Sequence, residues 1–291
     1  MLWHSERDLL VCGIMETNGE TPDPSAPRGV LLDLDGVLYV GDRLLPGARE
    51  TLEWLEARGI QRRFLTNTST KSVGELVEKL KGLGIGVEEG EVFSAVSATR
   101  AYLEEACGGN PGKTRVALLI RDAAKADFAD FAEPEGTEEA DFVVVGDIGA
   151  AWSYDLLNRV FRMIMNGACL VAMHRNRYWE GDDGLRMDIG AFVAGLEYVT
   201  GKKAVVVGKP SEAFFGLALS SMGLEKEEVV MVGDDVSSDI GGSQAAGVRG
   251  VLVRTGKYRE GDESESDPPP AAVIDSIADL PDCIESGLGG E

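Results

Sequence analysis

The chain has 291 residues, 44% of them apolar and 27% charged, with 28 Lys and Arg against 50 Asp and Glu for a net charge of −22. That length suits one large domain or two modest ones, and so acidic a surface repels phosphate backbones and anionic membranes, which argues against nucleic acid or a membrane as a partner. The cysteines, Cys12, Cys107, Cys169 and Cys283, form no C-x-x-C pair, which argues against a zinc site or disulfide framework and fits a reducing compartment.

Residues 1–27 hold one short apolar patch, Leu9 to Met15, among Glu6, Asp8, Glu16 and Glu20, and end in a stretch with Pro22, Pro24 and Pro27. Transit peptides are poor in acids, so a loosely ordered extension on a cytoplasmic protein, with or without a nuclear pool, is expected. Strands are expected at Val30–Leu34, Gln61–Leu65, Val116–Ile120, Phe142–Val145, Cys169–Ala172, Ala204–Val207, Val229–Val232 and Gly250–Val253. Several are continuous Val, Leu and Ile runs, the pattern of parallel strands buried on both faces. Between them Pro46 opens one helix that Gly59 ends, and Ser72-x-x-Glu75 reads as a capping box ahead of apolar residues at helical spacing. The βαβα alternation implies an α/β fold with a parallel sheet.

Polar clusters follow four of these strands. Asp33-x-Asp35 follows the first, Thr66-Asn67-Thr68-Ser69 the second, Gly208-Lys209-Pro210 the sixth, and Gly233-Asp234-Asp235 with Asp239 the seventh. Ligands of open α/β sheets bind beyond the carboxyl ends of the strands, so neighbouring strands would bring all four clusters to one edge. Carboxylates there suit Mg²⁺, which takes one or two of them together with substrate phosphate oxygens. Lysine, a threonine hydroxyl and free backbone N–H groups stabilise a transferring phosphoryl group, and a carboxylate can attack phosphorus directly. The reaction class implied is metal-assisted phosphoryl transfer through a covalent aspartate. A histidine mechanism has little support from His4 and His174 alone. The run Met173 to Trp179 reads equally as a polar loop or as a reach toward substrate.

In this order, D-x-D-G-V-L-Y, L-T-N, G-K-P and G-D-D-x-x-x-D resemble the haloacid dehalogenase-like phosphohydrolase superfamily, over about residues 28–286. Tyr39-Val-Gly-Asp42 and Leu45-Pro-Gly47 resemble its branch with a large inserted α/β cap. The C-terminal part, through Arg254-Thr-Gly-Lys-Tyr258, resembles the group of phospholysine, phosphohistidine and inorganic pyrophosphate phosphatases and their hydrolase domain-containing cousins. The resemblance implies a Rossmann-like doubly wound parallel core at 28–103 and 203–286, with a cap at 104–202. It implies Asp33 as nucleophile and Mg²⁺ ligand, and Asp35 as general acid/base with its carbonyl on the metal. Thr66 and Asn67 would hold phosphoryl oxygens, Lys209 would balance charge, Asp234 would complete the metal site, and Asp239 and Asp235 would support it. The expected substrate is small and phosphorylated: a phosphoamide, inorganic pyrophosphate or a metabolite such as phosphoglycolate, pyridoxal phosphate or a sugar phosphate. The resemblance also suggests a homodimer. Two rivals are a phosphorylation-switched receiver, in which the acidic pair comes earlier and no cap is present, and an inactive binding protein on the same scaffold.

Overall fold

The computed structural model describes residues 26–134, 139–181 and 184–288. The expected extension at 1–27 lies outside the described residues except for its last two. From the amino end the strands are β1 (Gly29–Asp33), the hairpin pair β2 (Tyr39–Val40) and β3 (Arg43–Leu44), β4 (Gln61–Thr66) and β5 (Val92–Ser94). There follow β6 (Val116–Leu119), β7 (Phe142–Val145), β8 (Cys169–Ala172), the hairpin pair β9 (Tyr178–Gly181) and β10 (Gly184–Met187), and β11 (Val205–Val206). The last are β12 (Val229–Gly233), β13 (Arg249–Val253) and β14 (Ala272–Ile274).

Two parallel sheets result. The core sheet has the order β14-β13-β12-β1-β4-β5, and the cap sheet the order β11-β8-β7-β6. In β1 successive side chains point to opposite faces. Val30 and Leu32 pack with Leu52, Leu76 and Leu80 on one side, while Leu31 packs with Phe214, Phe215 and Ala218 on the other. Both faces are therefore dry, which is why the strand reads as one apolar run.

β11 departs from the sequence-based expectation. Its residues pair with Val171 and Ala172 of β8, so this strand closes the edge of the cap sheet instead of entering the core sheet. The reason is packing: Ala204, Val205 and Val206 lie against the apolar core of the cap. Lys209 therefore reaches the site from the cap's edge strand. The helix Ala95–Ala106 joins the two bodies, with Ala95, Val96 and Leu103 in the cap's core and Ala98 in the core domain's.

Register brings the site together. Leu32 is paired with Val232, and Asp33 with Leu65, so the ends of β1, β4 and β12 lie level. The loop leaving β4 is pinned by the helix Val73–Gly82, whose Ser72 Oγ accepts from the Glu75 N–H at 3.2 Å while Glu75 accepts from the Ser72 N–H at 2.9 Å. That capping box was legible in the sequence, and Leu76, Val77 and Leu80 supply the buried face. Ser72→Ala is expected to cost about 1 kcal/mol of stability, the ordinary value of an N-cap; urea unfolding checks it, and an unchanged midpoint would contradict the role of the cap.

Candidate active site

β1 delivers Asp33 to the cleft, where it is 6% exposed. The Lys209 ammonium lies 2.5 Å from Asp33 Oδ1 and 2.7 Å from Asp239 Oδ1, and it is itself 2% exposed. An ammonium buried this deeply would lose its proton unless it were paired. Burial does press the Lys209 pKa down, but Asp239 and Asp33 outweigh it and hold the value above the ordinary lysine range.

Asn67 fixes the loop that carries this lysine. Its Nδ2 donates to the Lys209 carbonyl and its Oδ1 accepts from the Lys209 N–H, both at 2.9 Å. With both ends of its amide engaged on the protein, the Asn67 side chain positions Lys209. Gly208 admits this close approach, since a Cβ there would come 2.4 Å from the Met173 carbonyl and 2.6 Å from Asn67 Oδ1. The Thr66 hydroxyl, at the buried end of β4, lies 2.9 Å from the Thr68 hydroxyl and accepts from the Thr68 N–H at 3.1 Å.

β12 supplies the acids. Asp234 is 1% exposed, and its Oδ2 accepts from the Lys257 N–H at 2.7 Å. Its Oδ1 is buried without a hydrogen-bond partner among the described residues. Burial, then repulsion from Asp33 and Asp239, pushes the Asp234 pKa well up. One oxygen each of Asp33, Asp234 and Asp239 lies within 4.8 Å of the others. Asp235 has a different task. Its Oδ1 accepts from the Ser237 and Ser238 N–H groups at 3.0 and 2.9 Å, capping the turn Val236–Gly241, and its Oδ2 lies 3.4 Å from Lys257 Nζ. Gly36 and Gly256 close over Asp234: at either position a Cβ would come 2.0 Å from Asp234 Oδ2, and their φ values of +90° and +62° suit glycine.

Asp35 opens onto the cleft from the turn after β1, held where the Gly36 N–H donates to the Tyr39 carbonyl at 2.7 Å. Its carboxyl is solvent-exposed yet walled, and the desolvation raises its pKa against the opposing pull of Lys79 and Lys257. Its carboxylate stands outside the Asp33, Asp234 and Asp239 cluster. Of the predicted site residues, Asp33, Asp35, Thr66, Asn67 and Lys209 border one cleft of about 940 Å³, and Asp234 and Asp235 border a smaller crevice beside it; Lys257 borders both.

The cap completes this cleft with Arg121 and Asp147, which carried no expectation from the sequence, and with His174, Asn176 and Trp179 of the run Met173 to Trp179. Arg121, Asp147 and His174 each lie two residues beyond a cap strand, after β6, β7 and β8. The strand-end rule that found the core clusters would have found these too. The carboxyl ends of the two sheets thus face each other. His174 Nδ1 accepts from the Asn176 N–H at 3.3 Å, which leaves the neutral ring's proton on Nε2, 3.5 Å from Ser69 Oγ. That hydroxyl also accepts from the Asp147 N–H at 3.2 Å, so the loop after β4 is tied to two cap strand ends. Burial first, then Lys257 and Lys209, lowers the His174 pKa to about 3, so the ring is neutral and serves as a fixed spacer. Lys257, in the quoted Arg254 to Tyr258 motif, was also unassigned; burial lowers its pKa, but Asp234 and Asp235 carry it above the ordinary range.

A doubly wound parallel core with an inserted α/β cap, and a buried Asp–Lys–Asp network at the cleft floor, defines a capped α/β hydrolase. Two sequence profiles agree: haloacid dehalogenase-like hydrolase over residues 30–132 and HAD-hydrolase-like over residues 206–280. The chain belongs to the haloacid dehalogenase-like hydrolases. It is 41% identical over 259 residues to Haloacid dehalogenase-like hydrolase domain-containing protein 2 of Bos taurus, covering 89% of this chain and 96% of that one. It is 37% identical to Phospholysine phosphohistidine inorganic pyrophosphate phosphatase of Rattus norvegicus, covering 89% of this chain and 95% of that one. Among solved structures it is similar to 4-nitrophenylphosphatase of Thermotoga maritima, with a TM-score of 0.80, 28% identity and coverage of 89% and 97%. NagD of E. coli K-12 follows the same fold, with a TM-score of 0.74, 27% identity and coverage of 87% and 98%.

Lys209→Met would leave Asp33 and Asp239 buried and unpaired, a loss of about 3–5 kcal/mol near neutral pH. Burial already raises the Asp239 pKa, with Lys209 opposing it, so removing the lysine raises it further. A carboxyl whose folded pKa exceeds its unfolded one costs stability once the pH passes the unfolded value, so the deficit shrinks on acidification. Urea unfolding of metal-free parent and variant at about pH 8 and about pH 5.5 tests this; a deficit that grows at the lower pH would contradict it.

Proposed function

We propose that this chain is a phosphohydrolase that acts on small phosphorylated substrates through an aspartyl-phosphate at Asp33. The observation that carries the reading is Asp33 itself. It is a buried carboxylate bordering the cleft, held by a paired ammonium, beside Asp234, whose Oδ1 has no hydrogen-bond partner among the described residues.

In the first half-reaction an Asp33 oxygen attacks phosphorus, and the bond from phosphorus to the leaving atom breaks. Asp35 gives its proton to that leaving atom, which departs neutral. In the second half-reaction Asp35 takes a proton from water, whose oxygen attacks phosphorus; the bond from phosphorus to Asp33 breaks, and phosphate leaves. The environments divide these roles. The Lys209 ammonium pairs with Asp33 at 2.5 Å, while desolvation raises the Asp35 pKa and so favours its protonated form. The Lys209 ammonium also offsets charge that develops on the phosphoryl oxygens, and the Thr66 hydroxyl borders the same space. Cap loops around the cleft restrict bulk water, which strengthens each of these interactions.

The donor set fits Mg²⁺. Three carboxylate oxygens converge, Asp234 Oδ1 is an orphaned buried acceptor, and hard oxygen ligands are what this cation takes. Asp33 and Asp234 would hold it, with Asp239 completing the cluster and anchoring Lys209, and the bound ion would supply charge neutralisation at the phosphoryl oxygens.

Substrate class is proposed more narrowly by analogy. The relative from Rattus norvegicus is named for phospholysine, phosphohistidine and inorganic pyrophosphate, and the solved neighbour from Thermotoga maritima for 4-nitrophenyl phosphate. Phosphoamides and small phosphate esters are thus the classes to assay, and the cleft volume of about 940 Å³ favours organic substrates over pyrophosphate.

On 4-nitrophenyl phosphate, Asp33→Asn is expected to lose turnover by about a thousandfold or more, and chelation followed by Mg²⁺ should remove and restore the parent activity. A fully active Asp33→Asn variant or metal-independent turnover would sink the mechanism. Asp35→Asn should slow alkyl phosphates, whose poor leaving group needs the proton, far more than 4-nitrophenyl phosphate. Because the protonated acid is required and its pKa is raised, kcat/KM for alkyl phosphates should fall as the pH rises through that pKa. Equal losses on both substrates would remove Asp35 as the acid.

A further inference from the structure

The cap brings aromatic rings to the cleft that Asp33 borders. Trp152 and Phe192 come from separate segments of the cap, one before the helix Tyr154–Met165 and one inside the helix Gly190–Thr200. Their rings are stacked with centroids 4.1 Å apart and planes inclined by 11°, and both border the cleft. Each is half-buried, neither sealed into the cap's core nor loose on its surface. Trp179 of β9 borders the same cleft, with the Arg186 guanidinium of β10 at 5.4 Å from its ring. A stacked pair at the edge of a cavity presents a flat face, and ring against ring is the arrangement such a face favours.

Charge around this wall is mixed. Arg121 and Arg186 stand with Asp147 and Asp188 in the cap's part of the cleft. A second phosphate lodged there would meet two carboxylates as well as two guanidinium groups, so the wall has no charge excess that selects a dianion. A flexible alkyl chain would gain contact area from the aromatic face but nothing from its planarity. A ring gains both, and its polar substituents find a donor or an acceptor on either side.

We propose that Trp152 and Phe192 form the seat of a planar leaving group, so that preferred substrates carry their phosphoryl group on, or one carbon away from, an aromatic or heteroaromatic ring. This rests on the phosphohydrolase reading and narrows it. The seat determines specificity. The chemistry stays with Asp33 and Asp35, and the bonds made and broken are those given above.

Benzyl phosphate and cyclohexylmethyl phosphate test it, because the two leaving alcohols are alike in size and basicity and differ in planarity. Full-length protein should favour benzyl phosphate in kcat/KM by about tenfold, the scale of one stacking contact together with its better-buried area, and mainly through KM. In Trp152→Leu and Phe192→Leu the ratio should fall toward one, while Trp152→Phe, which keeps a ring, should retain most of it. Thermal melting identifies any variant that has not folded. A parent protein without preference, or a preference that survives both leucine variants, would overturn the proposal. Benzylphosphonate and cyclohexylmethylphosphonate, bound without turnover and followed by tryptophan fluorescence, separate the two levels. If neither ester is hydrolysed yet benzylphosphonate binds about tenfold tighter, the seat stands and the phosphohydrolase reading fails. Equal binding of the two phosphonates removes the seat.

Discussion

A single ammonium, Lys209, buried between Asp33 and Asp239 at the end of the core sheet, holds the site together. Neither partner could stay charged alone at that depth: an unpaired buried ion costs several kcal/mol, and removing one member of such a pair typically costs about 3–5 kcal/mol. The pairing therefore constrains everything nearby. It requires the lysine loop to be placed closely, which the two-point grip of Asn67 on the Lys209 backbone achieves. It requires glycine at 208, 36 and 256, where any side chain would strike a carbonyl or the Asp234 carboxylate. It also leaves a surplus of acid, because the ammonium groups of Lys209 and Lys257 face four carboxylates, those of Asp33, Asp234, Asp235 and Asp239, and Asp234 Oδ1 has no hydrogen-bond partner among the described residues.

The second organising feature is the opposition of two parallel sheets. Strand ends collect unpaired backbone groups and the loops that carry chemistry, and here the core and the cap aim theirs at each other. The core contributes acids, Lys257 and a threonine. The cap contributes an arginine, an acid and a neutral histidine at equivalent positions past β6, β7 and β8, together with aromatic rings. Ser69 ties the two sides through His174 and the Asp147 N–H, so the loop that presents Thr66 is set partly by the cap. Placing Lys209 at the end of β11 has the same consequence: the charge that steadies Asp33 is delivered by a strand of the cap sheet.

Much of this was legible before any coordinates. Continuous Val and Leu runs ending in acids located β1 and β12, the Ser72–Glu75 pair located a helix start, and the order of four clusters pointed to the family. What stayed hidden has physical causes. β11 is two residues long, and nothing in so short a run says which sheet it joins. β5 and β14 are three residues each, below the length at which periodicity speaks. Asp35 and Asp33 look alike in the sequence, yet one is exposed to the cleft and the other buried, because the turn at Gly36 separates their surroundings. The double hydrogen bond of Asn67 to Lys209 spans 142 positions and leaves no local trace. Asp235, expected from the sequence as a support of the metal site, caps the turn after β12, a role that the local chemistry of an Asp before Val-Ser-Ser could have shown.

The central claim is that phosphorus bonds transiently to Asp33. Rapid acid quench during the first turnover on a ³²P-labelled ester, followed by peptide mapping, measures it directly. Acid-stable, hydroxylamine-sensitive label is expected on the peptide containing Asp33, rising and falling with turnover. Steady turnover with no labelled peptide, or label on any other residue, would contradict it.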